Sequence, residues 1–163
     1  MSKSESSQHD FVCPVRVYWE DTDGQGVVFY ANYIKFFERA RTEWLRAIGF
    51  GQEQLKRDTG GMFVVGETTA RYLRPAKLDD LLQVTVRVLQ QGRSSITFEQ
   101  QVWRDDALLT EGEIRIGWVE PDPASGDFRP RRIPAEVLAR LQPAAQSTHQ
   151  TETATPSTVT ATA

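Results

Sequence analysis

Tyr18-Trp19-Glu20-Asp21-Thr22-Asp23-Gly24-Gln25-Gly26-Val27-Val28-Phe29-Tyr30-Ala31-Asn32-Tyr33 is the stretch on which the reading of this chain turns. It begins as the end of a strand, passes through an acidic loop with two glycines, and enters the longest helical pattern in the sequence, which continues to Arg46 and beyond. Glycine has no Cβ, so backbone can approach a ligand closely at Gly24 and Gly26. The helix after the loop aims its first free N–H groups and the positive end of its dipole back at it. A carboxylate therefore lies beside an anion-favouring site, which is a combination suited to attack on a carbonyl.

Composition removes most other chemistries. The chain has 163 residues, 19 Lys and Arg against 22 Asp and Glu, and a net charge of −3, so it lacks the basic face of a nucleic-acid binder. That length suits one domain with a single core. Its histidines are His9 and His149, both in polar terminal segments, and its one cysteine is Cys13. Neither a Ser-His-Asp nor a Cys-His arrangement has a base to use, and no tetrahedral zinc shell can be closed. Gly24-Gln25-Gly26 lacks the third glycine of a dinucleotide fingerprint. No metal and no cofactor are expected, which leaves carboxylates and backbone dipoles to do the chemistry. No apolar run is long enough to span a bilayer and residues 1–10 carry no apolar signal core, so a cytoplasmic location without membrane insertion is expected.

Along the chain, residues 1–10 and 143–163 read as disordered polar segments flanking one domain at 11–142. A first strand spans 11–20, with Val15, Val17 and Trp19 on one face. The helix runs from about Phe29 to Ile48, with an apolar stripe of Tyr33, Ile34, Phe36, Phe37, Ala40, Trp44, Leu45 and Ile48. Arg39 with Glu43, and Glu38 with Arg41, fall at helical pair spacings on its other face. Gly49 is a stop, Gln52 to Asp58 is a short helix, and Gly60-Gly61 ends it. Period-two runs come next at Met62–Leu73, Leu82–Val88, Ile96–Val102 and Leu108–Val119, the last two joined by a hairpin at Asp105-Asp106. Pro121 to Gly126 is a loop, and Pro134 opens a helix over Ala135–Leu141. One strand, one long helix and four strands in meander order give an α+β class.

Three segments carry a family likeness: Tyr18 to Asp23, Gly26 to Tyr33, and Phe37-Glu38-Arg39-Ala40-Arg41-Thr42-Glu43. Together with Tyr72-Leu73-Arg74-Pro75-Ala76 and Asp79-Asp80, they resemble the YbgC-like acyl-CoA thioesterases, relatives of 4-hydroxybenzoyl-CoA thioesterase. The resemblance implies a hotdog fold: an antiparallel sheet of about five strands wrapped around one central helix. It implies a homodimer or homotetramer with its active site at a subunit interface. The substrate would be an acyl-CoA, with an acyl carrier protein as the other candidate thioester.

Residue pattern alone leaves Asp21 and Asp23 equivalent, and acids before a helix are ordinarily caps or solvated turn residues. The resemblance places Asp23 at the catalytic carboxylate, as base or nucleophile, and makes Asp21 structural. It assigns the backbone N–H of Tyr30 to the thioester carbonyl, with Gly26 in the same loop. Tyr30 stands where many YbgC-like members have histidine, which leaves the substrate class open. By the same resemblance Arg93, Ser94, Ser95, Arg129 and Arg132 would bind the CoA phosphates, a role that arginine's planar fork suits. Glu38 reads as a salt-bridged surface glutamate, with a second acid in the site as the other possibility. Two rivals stand beside hydrolysis. A hotdog dehydratase generally needs a histidine that the folded region lacks. A non-catalytic adaptor would bind an acyl carrier protein or a cell-envelope complex of Tol-Pal type.

Overall fold

Alternation of apolar and polar residues dictates a half-buried sheet, and the computed structural model, which describes residues 11–141, contains one. The expected disordered segments 1–10 and 143–163 lie outside the described residues, as does Gln142. The elements are β1 (Phe11–Arg16), a single 3₁₀ turn (Trp19–Asp21), α1 (Asn32–Ala47), α2 (Gln52–Thr59), β2 (Met62–Tyr72), β3 (Leu81–Gln91), β4 (Ser95–Arg104), β5 (Ala107–Pro121), β6 (Phe128–Pro130) and α3 (Ala135–Leu138). All strand pairs are antiparallel, in the order β1-β3-β4-β5-β2, with the short β6 pairing β5. The α+β class and central helix stand as expected.

Four details differ from the sequence reading. The strands after the helix do not form a simple meander, because β2 crosses to the far edge and pairs β5. β1 stops at Arg16, and the 3₁₀ turn beyond it breaks the alternation, so Trp19 is 79% exposed instead of joining Val15 and Val17 inside. The helix starts at Asn32, three residues later than expected, because Phe29 to Ala31 form a turn. The expected helical ion pairs do not form: Glu43 pairs Arg46, Glu38 accepts from the Thr42 hydroxyl at 2.8 Å, and Arg41 turns inward.

The core lies between α1 and the inner sheet face. Phe36, Phe37, Ala40, Trp44 and Leu45 from the helix meet Leu82, Val84, Phe98, Val102, Ile114 and Trp118 from the strands. Full burial of one such large side chain contributes about 1.5–3 kcal/mol, so the stripe is ample to hold the helix down. Gly112 lets it come close: a Cβ there would lie 3.2 Å from the Phe37 ring and run into the Thr69 carbonyl oxygen. At the helix end Gly49 takes φ 101°, and the Phe50 N–H returns to the Leu45 carbonyl at 3.0 Å.

Two features of this frame bear on the candidate site. β2 is a long edge strand whose open side leaves Val64, Tyr72 and the 54% exposed Val65 bare. Beneath the helix, the fully buried Gln100 of β4 reaches up to α1.

Candidate active site

The loop between the 3₁₀ turn and α1 is built on Asp21. Its carboxylate accepts the Tyr18 N–H at 2.8 Å, while its carbonyl accepts the Phe29 N–H and the Asn32 side-chain amide, each at 2.9 Å. Asp21 is 6% exposed, and the first residue of α1 is tied directly to it. Among the described residues it meets no arginine; a backbone donor satisfies it. Its neighbour Asp23 is exposed at the loop tip. The Asp23 carboxylate accepts the Gln25 N–H at 2.8 Å, its N–H donates to the Val27 carbonyl at 2.9 Å, and its carbonyl accepts from Gly26 at 3.0 Å. Gly26 takes φ 77°, which lets the chain reverse there. The Thr22↔Val28 bridge closes the loop on itself, and the Val27↔Lys77 bridge, with the Val28 N–H donating to the Ala76 carbonyl at 2.9 Å, anchors it to the segment after β2.

Tyr30 precedes the helix, with Ala31 as N-cap. Among the described residues the Tyr30 and Ala31 N–H groups have no protein acceptor. Both stand at the positive end of the α1 dipole. The Tyr30 ring, 62% exposed, belongs to an aromatic wall: it lies 4.7 Å from Phe29 and 6.1 Å from Tyr72, and Tyr72 lies 5.6 Å from Tyr33. Sequence reasoning misses Tyr72 in this wall, because only the fold brings the end of β2 beside the start of α1. Burial pushes the Tyr33 phenol up, and the bond it accepts from the Ala76 N–H at 3.1 Å partly offsets this. Tyr33 is thus a neutral anchor for the helix. Burial, helped by Glu43, likewise raises Cys13, so it stays a thiol within the core.

The other expected site residues gather elsewhere. The Arg93 carbonyl accepts the Ile133 N–H at 2.8 Å, which sets Arg132 next to Arg93, and both side chains are exposed. Ser94 and Ser95 belong to the same corner: the Ser94 carbonyl accepts from Trp118 at 2.8 Å, and Ser95 pairs Gly117. Arg129 is drawn to Asp122 at 3.5 Å, as Arg131 is at 3.7 Å. This basic corner sits at the Trp118 end of β5, whereas the Asp23 loop joins the Leu109 end through Leu73. The run of β5 from Leu109 to Trp118 spans about 30 Å at ~3.3 Å per residue. Within one chain, then, the carboxylate and the arginines are not brought together.

An apolar groove of about 100 Å³ opens between α1 and β2, walled by Trp44, Leu45, Phe63, Val64 and Phe98, with Glu38 and Arg41 on its helical side. Among the described residues Glu38 has no ion-pair partner within bonding distance, so the surface salt bridge expected for it does not form. No helix among the described residues is long and apolar enough to cross a membrane, and no cluster among them has the make-up of a metal site.

Comparison with known proteins identifies the family. Residues 25–111 match the model of the thioesterase superfamily. The chain is 42% identical over 129 residues to the acyl-CoA thioesterase YbgC of Haemophilus influenzae, covering 79% of this chain and 92% of that one. It is 38% identical over 133 residues to the acyl-CoA thioester hydrolase YbgC of Escherichia coli, covering 81% and 96%. A probable thioesterase from Bartonella henselae superposes with a TM-score of 0.69 at 32% identity, over 76% of this chain and 98% of the other. By sequence and by hotdog fold, the chain belongs to the thioesterase superfamily.

Proposed function

We propose that the protein hydrolyses acyl-CoA thioesters to the free acid and CoA, with Asp23 and the backbone at Tyr30 as its catalytic groups. The observation that carries this is an exposed Asp23 carboxylate and an unengaged Tyr30 N–H on one short loop, closed by the Thr22↔Val28 bridge, that leads into α1. A thioester needs little more. Its leaving thiol has a pKa near ~8.5, so it departs without a strong general acid. Asp23 either removes a proton from the attacking water or itself attacks the carbonyl to give a mixed anhydride that water then opens. The N–H of Tyr30, with the helix dipole behind it, meets the negative charge that develops on the carbonyl oxygen; loss of one such donor typically costs about 10²–10³ in rate.

The site is completed by a second copy. A bare edge as long as β2 invites pairing, and a two-fold axis can join two copies of one strand only in antiparallel fashion. Antiparallel pairing of β2 swaps ends, so the basic corner of one protomer comes beside the Asp23 loop of its partner. Counting strand spacings, the lateral gap is about 15 Å, which an extended nucleotide-bearing thioester can bridge. Arg93 and Arg132 then hold the phosphates of a CoA whose thioester lies at the partner's Asp23. Release of free thiol from a panel of acyl-CoAs is the test: turnover by the wild-type protein supports the reading, and no release from any member rejects it.

A further inference from the structure

An oxyanion donor works only if it is held to a fraction of an ångström, and apolar packing alone does not hold a helix that well. A helix that shifts along its axis by about 1.5 Å without turning keeps the same apolar stripe against the sheet. Beneath the second turn of α1 lies Gln100, wholly buried in the middle of β4. Its Nε2 donates to the Phe37 carbonyl of α1 at 3.1 Å and to the Thr85 carbonyl of β3 at 3.3 Å. Its Oε1 accepts from Arg41 Nη1 at 2.8 Å. One side chain thus grips the helix through both backbone and side chain, and ties it to two strands.

Stability does not ask for this pair. A buried charged or polar pair is often replaced by apolar residues of similar volume with no loss of stability, while removal of one partner alone is costly. Arg41 is half-buried: burial pulls its pKa down, with Glu38 opposing, and the bond to Gln100 replaces part of the hydration lost. With the donors and the acceptor of the Gln100 amide all engaged, the side chain favours one arrangement out of several that pack equally well. Tyr30 lies in the turn that leads directly into α1, whose first residue Asn32 is five residues before Phe37, about 7.5 Å along the axis.

We propose that Gln100 and Arg41 are positioning residues for thioester hydrolysis, setting the axial place of α1 and with it the Tyr30 N–H; this rests on the assignment of Asp23 and Tyr30 as the hydrolytic groups. Gln100→Leu alone strands the Arg41 charge and loses stability, so the informative protein is the double variant Arg41→Met with Gln100→Leu. It is expected to melt within a few degrees of wild type, with kcat down at least about tenfold on every acyl-CoA that the wild type hydrolyses and KM within about threefold, as befits a catalytic group displaced by around an ångström. Arg41→Lys, which keeps a donor for Gln100 Oε1, is expected to hold kcat within about threefold of wild type. A well-folded double variant with wild-type kcat, or with a change confined to KM, overturns the proposal. A wild-type protein that releases no thiol rejects the function and the positioning role together, so the two failures are told apart by the control.

Discussion

Asp21 and Asp23 carry the same side chain two positions apart, and the fold puts them to opposite uses. Asp21 is buried and ties the 3₁₀ turn to α1. Asp23 stands in water at the loop tip, held only by its own turn. Asp23→Asn keeps size and shape but cannot activate water or attack, so kcat is expected to fall by at least about 10²-fold with little change in melting temperature. Asp21→Asn puts an amide where a carboxylate accepts a backbone N–H, and steady-state kinetics with thermal melts should show the reverse weighting, a loss of stability first. A second residue-scale prediction concerns Asp80. Burial alone would raise its pKa, but the bond from Arg104 at 2.8 Å and the Lys77 N–H at 2.9 Å outweigh it and hold the carboxyl below its usual range. A pKa depressed by folding contributes stability above the unfolded value of about 4, and that contribution is lost as pH falls through the folded value. Melting temperatures of wild type and Asp80→Asn should therefore differ at pH 7 and converge as pH falls below the unfolded value and through the folded one.

At the scale of elements, α1 is legible because its apolar residues recur at three and four positions, and β3 to β5 because theirs alternate. What periodicity cannot encode is the partner. Nothing in Met62–Tyr72 says that it pairs with β5 and not with the next strand in sequence, since that choice depends on where the α1 connection delivers it. Parity puts Trp19 inside, and one 3₁₀ turn undoes the count. Arg41 reads as a surface residue because its spacing to Glu38 is helical, while Gln100, its actual partner, lies 59 positions away. The glycines show the same limit of local reading. Gly112 looks like a weak point in a strand, yet its missing side chain is what admits Phe37. Gly112→Ala should destabilise the fold by about 1–3 kcal/mol through overpacking against backbone that cannot move aside, as urea melts would register.

The whole molecule has unequal margins. β1 closes one side of the sheet with only Phe11–Arg16, whereas β2 presents a long open edge on the other. The loop-and-helix half of the candidate site is readable in the sequence because it is continuous. The arginine corner is not readable in relation to Asp23, because within one chain the two are far apart and the proposed link between them runs through a second copy. Lysines at Val65 and Thr68 test the edge directly. In a two-fold interface each charge appears twice, so Val65→Lys with Thr68→Lys sets like charges against each other. Sedimentation velocity at micromolar concentration should give a dimer or tetramer for wild type and a monomer of low turnover for the variant.

The distance along β5 between the Asp23 loop and the Arg93 corner also determines how mixtures of damaged chains behave. If each thioester is shared by two protomers, an Asp23→Asn chain and an Arg93→Ala chain are defective in different halves of the site. A dimer of one with the other concentrates both defects in one site and leaves its second site wholly native. Statistical exchange makes about half of all dimers mixed, so two nearly inactive preparations, unfolded together and refolded, should recover about a quarter of wild-type turnover at low substrate. Sites contained within single chains would recover nothing.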